Sequence, residues 1–199
     1  RRNTLSLHDA LPICTRRHTF GNLVGHVKEV SDMKSLASWT NEQFDPRVSW
    51  PDIEWVKERW GGKLILKGIQ DVEDAELAVK SGADAIVVSN HGGRQLDGAE
   101  TSIRALLAIV AAVGDKIEVH MDGGIRSGQD VLKAWSLGAK GTYIGRAMVY
   151  GLGAMGEAGV TKALQIIHKE LDVTMAFCGH TNINGVDKRI LLPGTFPTA

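Results

Sequence analysis

The residues best placed to do chemistry are His91 and Arg94. They lie in Ser89-Asn90-His91-Gly92-Gly93-Arg94-Gln95-Leu96-Asp97-Gly98, directly after the apolar run Ala85-Ile86-Val87-Val88. An imidazole with an ordinary pKa of about 6.5 can take a proton near neutrality, and a guanidinium presents a planar fork that matches a carboxylate. The glycines let the backbone turn, so both side chains are expected to project from a strand end into one pocket. That arrangement suits removal of a proton from an acid substrate whose carboxylate is clamped.

A second group of residues suits a phosphate. Met121-Asp122-Gly123-Gly124-Ile125-Arg126-Ser127-Gly128 reads as the passage from a strand into a helix. Its backbone N–H groups and the helix N-terminus are expected to cradle the anion, with Arg126 adding charge. The following strand ends in Ile144-Gly145-Arg146, which repeats the glycine and arginine pairing. In barrels the phosphate site is often built from the loops after the last two strands. Asp122 either binds a sugar hydroxyl or caps its turn. Lys67, in the apolar run Leu64-Ile65-Leu66-Lys67-Gly68-Ile69, needs a reason for its charge. A buried anionic ligand, a Schiff base and a snorkelling strand end are the three candidates. His26, His120, His168 and His180 lack such a setting and read as packing or surface residues, although His120 can reach a barrel interior.

These residues need elements to hold them. Ser49 with Asp52, Asp71 with Asp74 and Ser127 with Asp130 each offer a capping oxygen followed by an acid, and Gly61, Gly82, Gly114 and Gly138 offer the stops. Ile53, Val56 and Trp60 share one helical face; so do Val72, Ala75 and Val79, and Val131, Ala134 and Trp135. Strands are expected at 63–69, 83–89, 116–121 and 141–144, apolar on both faces as buried parallel strands are. The run Ala78-Val79-Lys80-Ser81-Gly82-Ala83-Asp84-Ala85-Ile86-Val87 aligns with Ala134-Trp135-Ser136-Leu137-Gly138-Ala139-Lys140-Gly141-Thr142-Tyr143, so one βα unit is used repeatedly. Four such units make half of an eight-unit barrel, which takes about 250 residues when whole. The segment 20–44 shows no clear period and reads as an irregular connection whose aromatics, Trp39 and Phe44, pack in a core.

With 199 residues, 43% of them hydrophobic, and 23 basic against 23 acidic residues, the chain reads as one soluble globular domain. The balanced charge gives no reason to expect nucleic acid. Cys14 and Cys178 stand far apart without metal spacing, which fits a reduced cytoplasmic protein without a metal site. No apolar run is long enough to span a bilayer, which leaves room only for peripheral contact, on the inner membrane face. Residues 1–18 fit poorly with the rest: the 3–13 tract resembles translated adapter sequence rather than a signal peptide, and it reads as a non-native leader to residues 19–199. On that reading the natural chain extends upstream.

The Lys67-Gly pair, the 89–98 segment, Asp122-Gly-Gly-Ile-Arg126-Ser-Gly and Ile-Gly145-Arg146 resemble, in order and spacing, the FMN-dependent L-2-hydroxy acid dehydrogenase and oxidase family. The resemblance implies an α/β fold, the C-terminal half of a (β/α)8 TIM barrel (strands 5–8) truncated at its N-terminus. It implies oxidation of a 2-hydroxy acid, with L-lactate going to pyruvate the first reaction to expect. Electrons pass to FMN and on to a quinone, a cytochrome or oxygen, in a homo-oligomer at full length. Carried over by position, His91 is the base and Arg94 the carboxylate clamp, while Lys67 faces the flavin and stabilises charge on reduction. Ser89 lies against the flavin, Asp122 holds the ribityl chain, and Gly124, Arg126, Gly145 and Arg146 hold the phosphate. The competing readings are an inactive half barrel and another FMN barrel, such as an isopentenyl diphosphate isomerase, which has no need of the His/Arg pair.

Overall fold

The computed structural model describes residues 33–196, which divide into two compact units, one ending at Val48 and the other beginning at Ser49. In the first, α1 (Met33–Gln43) is a helix where the sequence predicts an irregular connection. Met33, Leu36 and Ala37 keep helical spacing, but Thr40, Asn41, Glu42 and Gln43 are all polar, so the apolar stripe is too short to announce a helix. Phe44, expected in a core, is exposed. The expected leader over 1–18 and the remainder of the connection, 19–32, lie outside the described residues.

The second unit alternates helices and strands: α2 (Trp50–Trp60), β1 (Ile65–Ile69), α3 (Val72–Lys80), β2 (Ala85–Val88), α4 (Ser102–Val113), β3 (Glu118–Met121), α5 (Gly128–Ser136), β4 (Gly141–Thr142), α6 (Arg146–Met155) and α7 (Glu157–Phe177). The four strands form one parallel sheet in the order β1-β2-β3-β4. Each crossover helix therefore sets its strand beside the preceding one, the α/β arrangement expected from the alternating pattern. The helices start where the sequence marks them. Ser49 with Asp52 and Ser127 with Asp130 form capping boxes, and Asp71 accepts from the Glu73 N–H.

The two near-repeats fold alike. Ser81, Gly82 and Ala83 donate to Leu77, Val79 and Ala78, while Leu137, Gly138 and Ala139 donate to Lys133, Trp135 and Ala134. Both glycines sit at positive φ, +77° and +105°, which lets each helix turn straight into the next strand.

Side chains alternate across the sheet. Ile86 and Val88 of β2 and Val119 and Met121 of β3 join Ala75, Ala78, Leu106, Ile109, Val113 and Ala134 in the core between sheet and helices. The opposite face carries Lys67, Val87, His120 and Gly141 in one registered row. The strands are not uniformly apolar, as the sequence predicts for sheets buried on both sides. All of β2 is buried, but Ile65 and Lys67 of β1 and Glu118 of β3 are exposed, because the second face has no layer over it among the described residues. A register shift at Gly68, whose φ is +98°, puts Ile69 in the helix-side core although Lys67 two residues earlier faces away from it.

The expected apolar face of α2 is uncovered too: Trp60 is 68% exposed, and the helix has no buried residue. A charged anchor joins this helix to the sheet instead. Asp84 pairs with Lys57 of α2 and with Lys63, and it accepts from the Leu64 N–H. These partners, Lys57 first, hold its carboxyl well below the usual carboxylate range. Among the described residues, no helix is long and apolar enough to cross a membrane.

Candidate active site

All the sequence-predicted site residues lie at the carboxyl ends of the four strands. Lys67 of β1 reaches across the sheet: its Nζ donates to Ser89 Oγ at 3.0 Å and pairs with Asp122 Oδ2 at 2.8 Å. Its charge is thus matched by a protein carboxylate, and the side chain is half exposed rather than buried as its apolar strand suggests. Ser89 lies beneath the groove, 2% exposed, and accepts from both Lys67 and the His91 N–H. Within this structure it acts as a brace.

The loop after β2 is a short 3-10 turn, His91–Gly93. Asn90 caps it by accepting from the Gly92 N–H at 3.0 Å, and the Asn90 N–H donates to Ser102 Oγ at 3.1 Å. His91 itself has φ +55°, the one non-glycine residue at positive φ among the described residues. A side chain there costs about 1 kcal/mol of backbone strain, and such strain concentrates at functional positions held by their surroundings. Gly123 makes room for this loop, since a Cβ there would stand 2.9 Å from Ser102 Oγ and 3.1 Å from Asn90 Oδ1.

The two glycine and arginine loops differ. At α5 the N–H groups that the sequence offers to a phosphate are already taken: Arg126 and Ser127 donate to Asp130 Oδ2, and Gly128 donates to Glu170 Oε2 of α7. The α5 N-terminus, which the sequence offers to an anion, is thus held here by two protein carboxylates. At α6 the N-cap is Gly145 and no side chain caps the helix. The Arg126 and Arg146 side chains remain available, as does the backbone of Gly124, whose φ is +87° and whose Cβ position is open.

Lys67, His91, Arg94, Asp122, Gly124, Arg126, Tyr143, Gly145 and Arg146 line one groove of about 360 Å³. Arg146 Nη2 lies 3.7 Å from where a Cβ on Gly92 would stand, which ties the phosphate side to the His91 loop. Among the described residues none of Arg94, Arg126 and Arg146 takes part in an ion pair. Three unmatched guanidinium groups lining one groove suit an anionic ligand. A larger hollow of about 580 Å³ on α7 holds no histidine or arginine and offers no such convergence.

Sequence reasoning missed Asn90, Ser102, Gly123, Glu170 and Tyr143. Asn90 could have been found from the turn-forming Asn-His-Gly-Gly run, and Tyr143 from its place beyond the last strand. Nothing local marks Ser102 or Glu170, which act on residues 12 and 42 positions away.

The FMN-dependent dehydrogenase family model matches residues 1–193. The chain belongs to the FMN-dependent dehydrogenase family. Among curated members, an L-lactate dehydrogenase of Caulobacter sp. (strain K31) is 48% identical over 88% of this chain and 46% of its own length. One from Pseudomonas syringae pv. syringae (strain B728a) is 46% identical over 89% and 47%. The chain spans about half the length of the curated relatives it matches. Among solved structures, the monotopic membrane protein (S)-mandelate dehydrogenase superposes with a TM-score of 0.77 at 36% identity, covering 82% of this chain and 43% of that one. A mandelate oxidase with (S)-4-hydroxymandelic acid gives 0.72 at 45% identity, covering 75% and 42%.

The groove fits the cofactor that names this FMN-dependent dehydrogenase family. Asp122 holds Lys67 through one oxygen, while its Oδ1 is buried without a hydrogen-bond partner among the described residues. Such an orphan is costly, and a ligand hydroxyl would satisfy it. The uncapped α6 N-terminus with Arg146 suits the phosphate end.

Proposed function

We propose that this chain is the C-terminal half of a (β/α)8 barrel, strands five to eight, from an enzyme that oxidises an L-2-hydroxy acid to the 2-oxo acid, with L-lactate as substrate. The observation that carries this reading is the convergence of His91 and three unpaired arginines with the Lys67–Asp122 pair on one groove. Bound FMN supplies the two-electron sink. Arg94, exposed at the rim, clamps the substrate carboxylate in a bidentate pair. His91, held out by its strained turn, takes the substrate proton. Lys67 is fixed by Ser89 and Asp122, so its ammonium is preorganised where negative charge develops. Asp122 Oδ1 takes a ribityl hydroxyl, and Gly124, Arg126, Gly145 and Arg146 hold the phosphate.

L-Lactate is favoured by the relatives named for it, and mandelate by the solved structures. The acceptor is a quinone, a cytochrome or oxygen, and the working form is a homo-oligomer in the cytoplasm or against the inner membrane face. The test uses the protein at its natural length. It is expected to retain flavin through gel filtration and to reduce an artificial acceptor faster with L-lactate than with L-mandelate. His91→Gln is expected to keep the flavin and lose most turnover. Near-normal turnover in that variant would remove His91 from the base role, and a flavin-free wild type would sink the reading.

A further inference from the structure

Three polar side chains on the face of the sheet opposite the helices are joined in a chain that ends in the groove. His120 of β3 lies with Nε2 3.1 Å from Glu118 Oε2 and Nδ1 2.9 Å from Tyr143 Oη. Its side chain is 15% exposed, and its ring tilts 39° to that of Tyr143. Gly141 leaves room for it, since a Cβ there would stand 3.2–3.3 Å from three ring atoms and crowd the imidazole. Tyr143 lines the groove together with Lys67, Asp122 and Arg146.

The chain has a direction. A carboxylate only accepts, so the proton between Nε2 and Glu118 belongs to Nε2. With that single proton on the ring, Nδ1 is an acceptor and the Tyr143 hydroxyl its donor, whereas a second ring proton would reverse the bond. The lone pairs of Tyr143 Oη are what remain for the groove. We infer that Glu118 and His120 are positioning residues that fix Tyr143 as a hydrogen-bond acceptor toward the ligand, and that the Tyr143 hydroxyl takes a proton donor from the polyol chain of a bound flavin nucleotide. This rests on the reading of the groove as the FMN site. It adds to that site a specificity element that selects ligand donors, since a second acceptor in the same place would leave two lone pairs opposed.

Glu118→Gln tests the direction. A glutamine amide can donate to Nε2 as well as accept from it, so it no longer holds the imidazole proton on Nε2 and frees the tyrosine hydroxyl to turn toward the groove as a donor. In the natural-length protein, nitrogen NMR of His120 is expected to show the proton on Nε2 in the wild type and to show the Nδ1 tautomer populated as well in Glu118→Gln. FMN affinity, followed by quenching of flavin fluorescence, is expected to fall roughly three- to tenfold in Tyr143→Phe, the worth of one hydrogen bond. Glu118→Gln is expected to lose part of that factor, and the double variant no more than Tyr143→Phe. A wild-type proton on Nδ1, or losses that multiply in the double variant, would overturn the inference. A wild type that binds no FMN would overturn the groove reading and with it the ligand half of the inference, while the NMR result decides the direction of the chain on its own.

Discussion

Two neighbouring strand ends carry the same pairing of glycine and arginine, yet they lead into helix N-termini of opposite character. At α5 the N–H groups of residues 126–128 are satisfied by Asp130 and by Glu170 from α7. At α6 the N-cap is a glycine, no side chain caps the helix, and Arg146 stands at its first position over the groove. Each helix end has the same partial positive charge, of order half an elementary charge. At α5 protein carboxylates neutralise it, so that helix is fastened to α7; at α6 no side chain caps it. A Gly/Arg strand end offers its helix N–H groups to an anion only where the fold leaves them free.

The sharpest way to break this comparison is to put a methyl group at each helix start. A Cβ on Gly128 would fall 1.9 Å from Leu171 N and 2.5 Å from Ile167 O, backbone atoms that cannot swing aside. Gly128→Ala is therefore expected to cost about 1–3 kcal/mol in urea unfolding, the range of a forced overpacking. Gly145→Ala meets nothing within 4 Å. It is expected to leave stability within about 0.5 kcal/mol and to weaken flavin binding instead. Equal stability losses at the two positions would erase the distinction.

Removing the charges sharpens it further. Arg146→Ala is expected to weaken FMN binding by about 1.5–3 kcal/mol, the worth of a charge-assisted hydrogen bond, with little change in unfolding. Glu170→Gln should do the reverse, lowering stability by about 0.5–1 kcal/mol through the lost helix-end interaction while flavin affinity holds. A drop in FMN affinity for Glu170→Gln would show that the α5 terminus takes part in binding after all.

The smallest effect lies away from both loops. Lys57 and Lys63 depress the Asp84 carboxyl below the ordinary value of about 3.9. A depressed folded-state value means that the contribution is complete above the unfolded value and is lost as pH falls through the folded one. Asp84→Asn is expected to narrow the gap in stability between neutral pH and a pH of about 3, with both loops unaffected. An unchanged gap would show that the anchor is electrostatically idle.

Much of this was legible beforehand because it is local. The capping boxes at Ser49 and Ser127 and the stops at Gly82 and Gly138 fell where expected, since each depends on residues three or four positions apart. The strand-end placement of His91, Arg94, Asp122, Arg126 and Arg146 followed from apolar runs of strand length, and all five line the groove. α1 was not legible, its apolar stripe being barely one turn long, and neither was the exposure of Trp60, because a face that is apolar in sequence is buried only if something packs on it.

The sequence by itself determined the order of the βα units, their caps and turns, the family, and the residue types at the strand ends. All of these are set by short-range backbone preferences and hydrophobic period. Tertiary structure alone decided which charges meet. Lys67 found Asp122 across 55 positions of chain, Glu170 closed the α5 N-terminus from 42 positions away, and His120 joined Glu118 to Tyr143. Hydrogen bonds and ion pairs act over a few ångströms of space, and only the packing of strand beside strand brings such distant residues within that range.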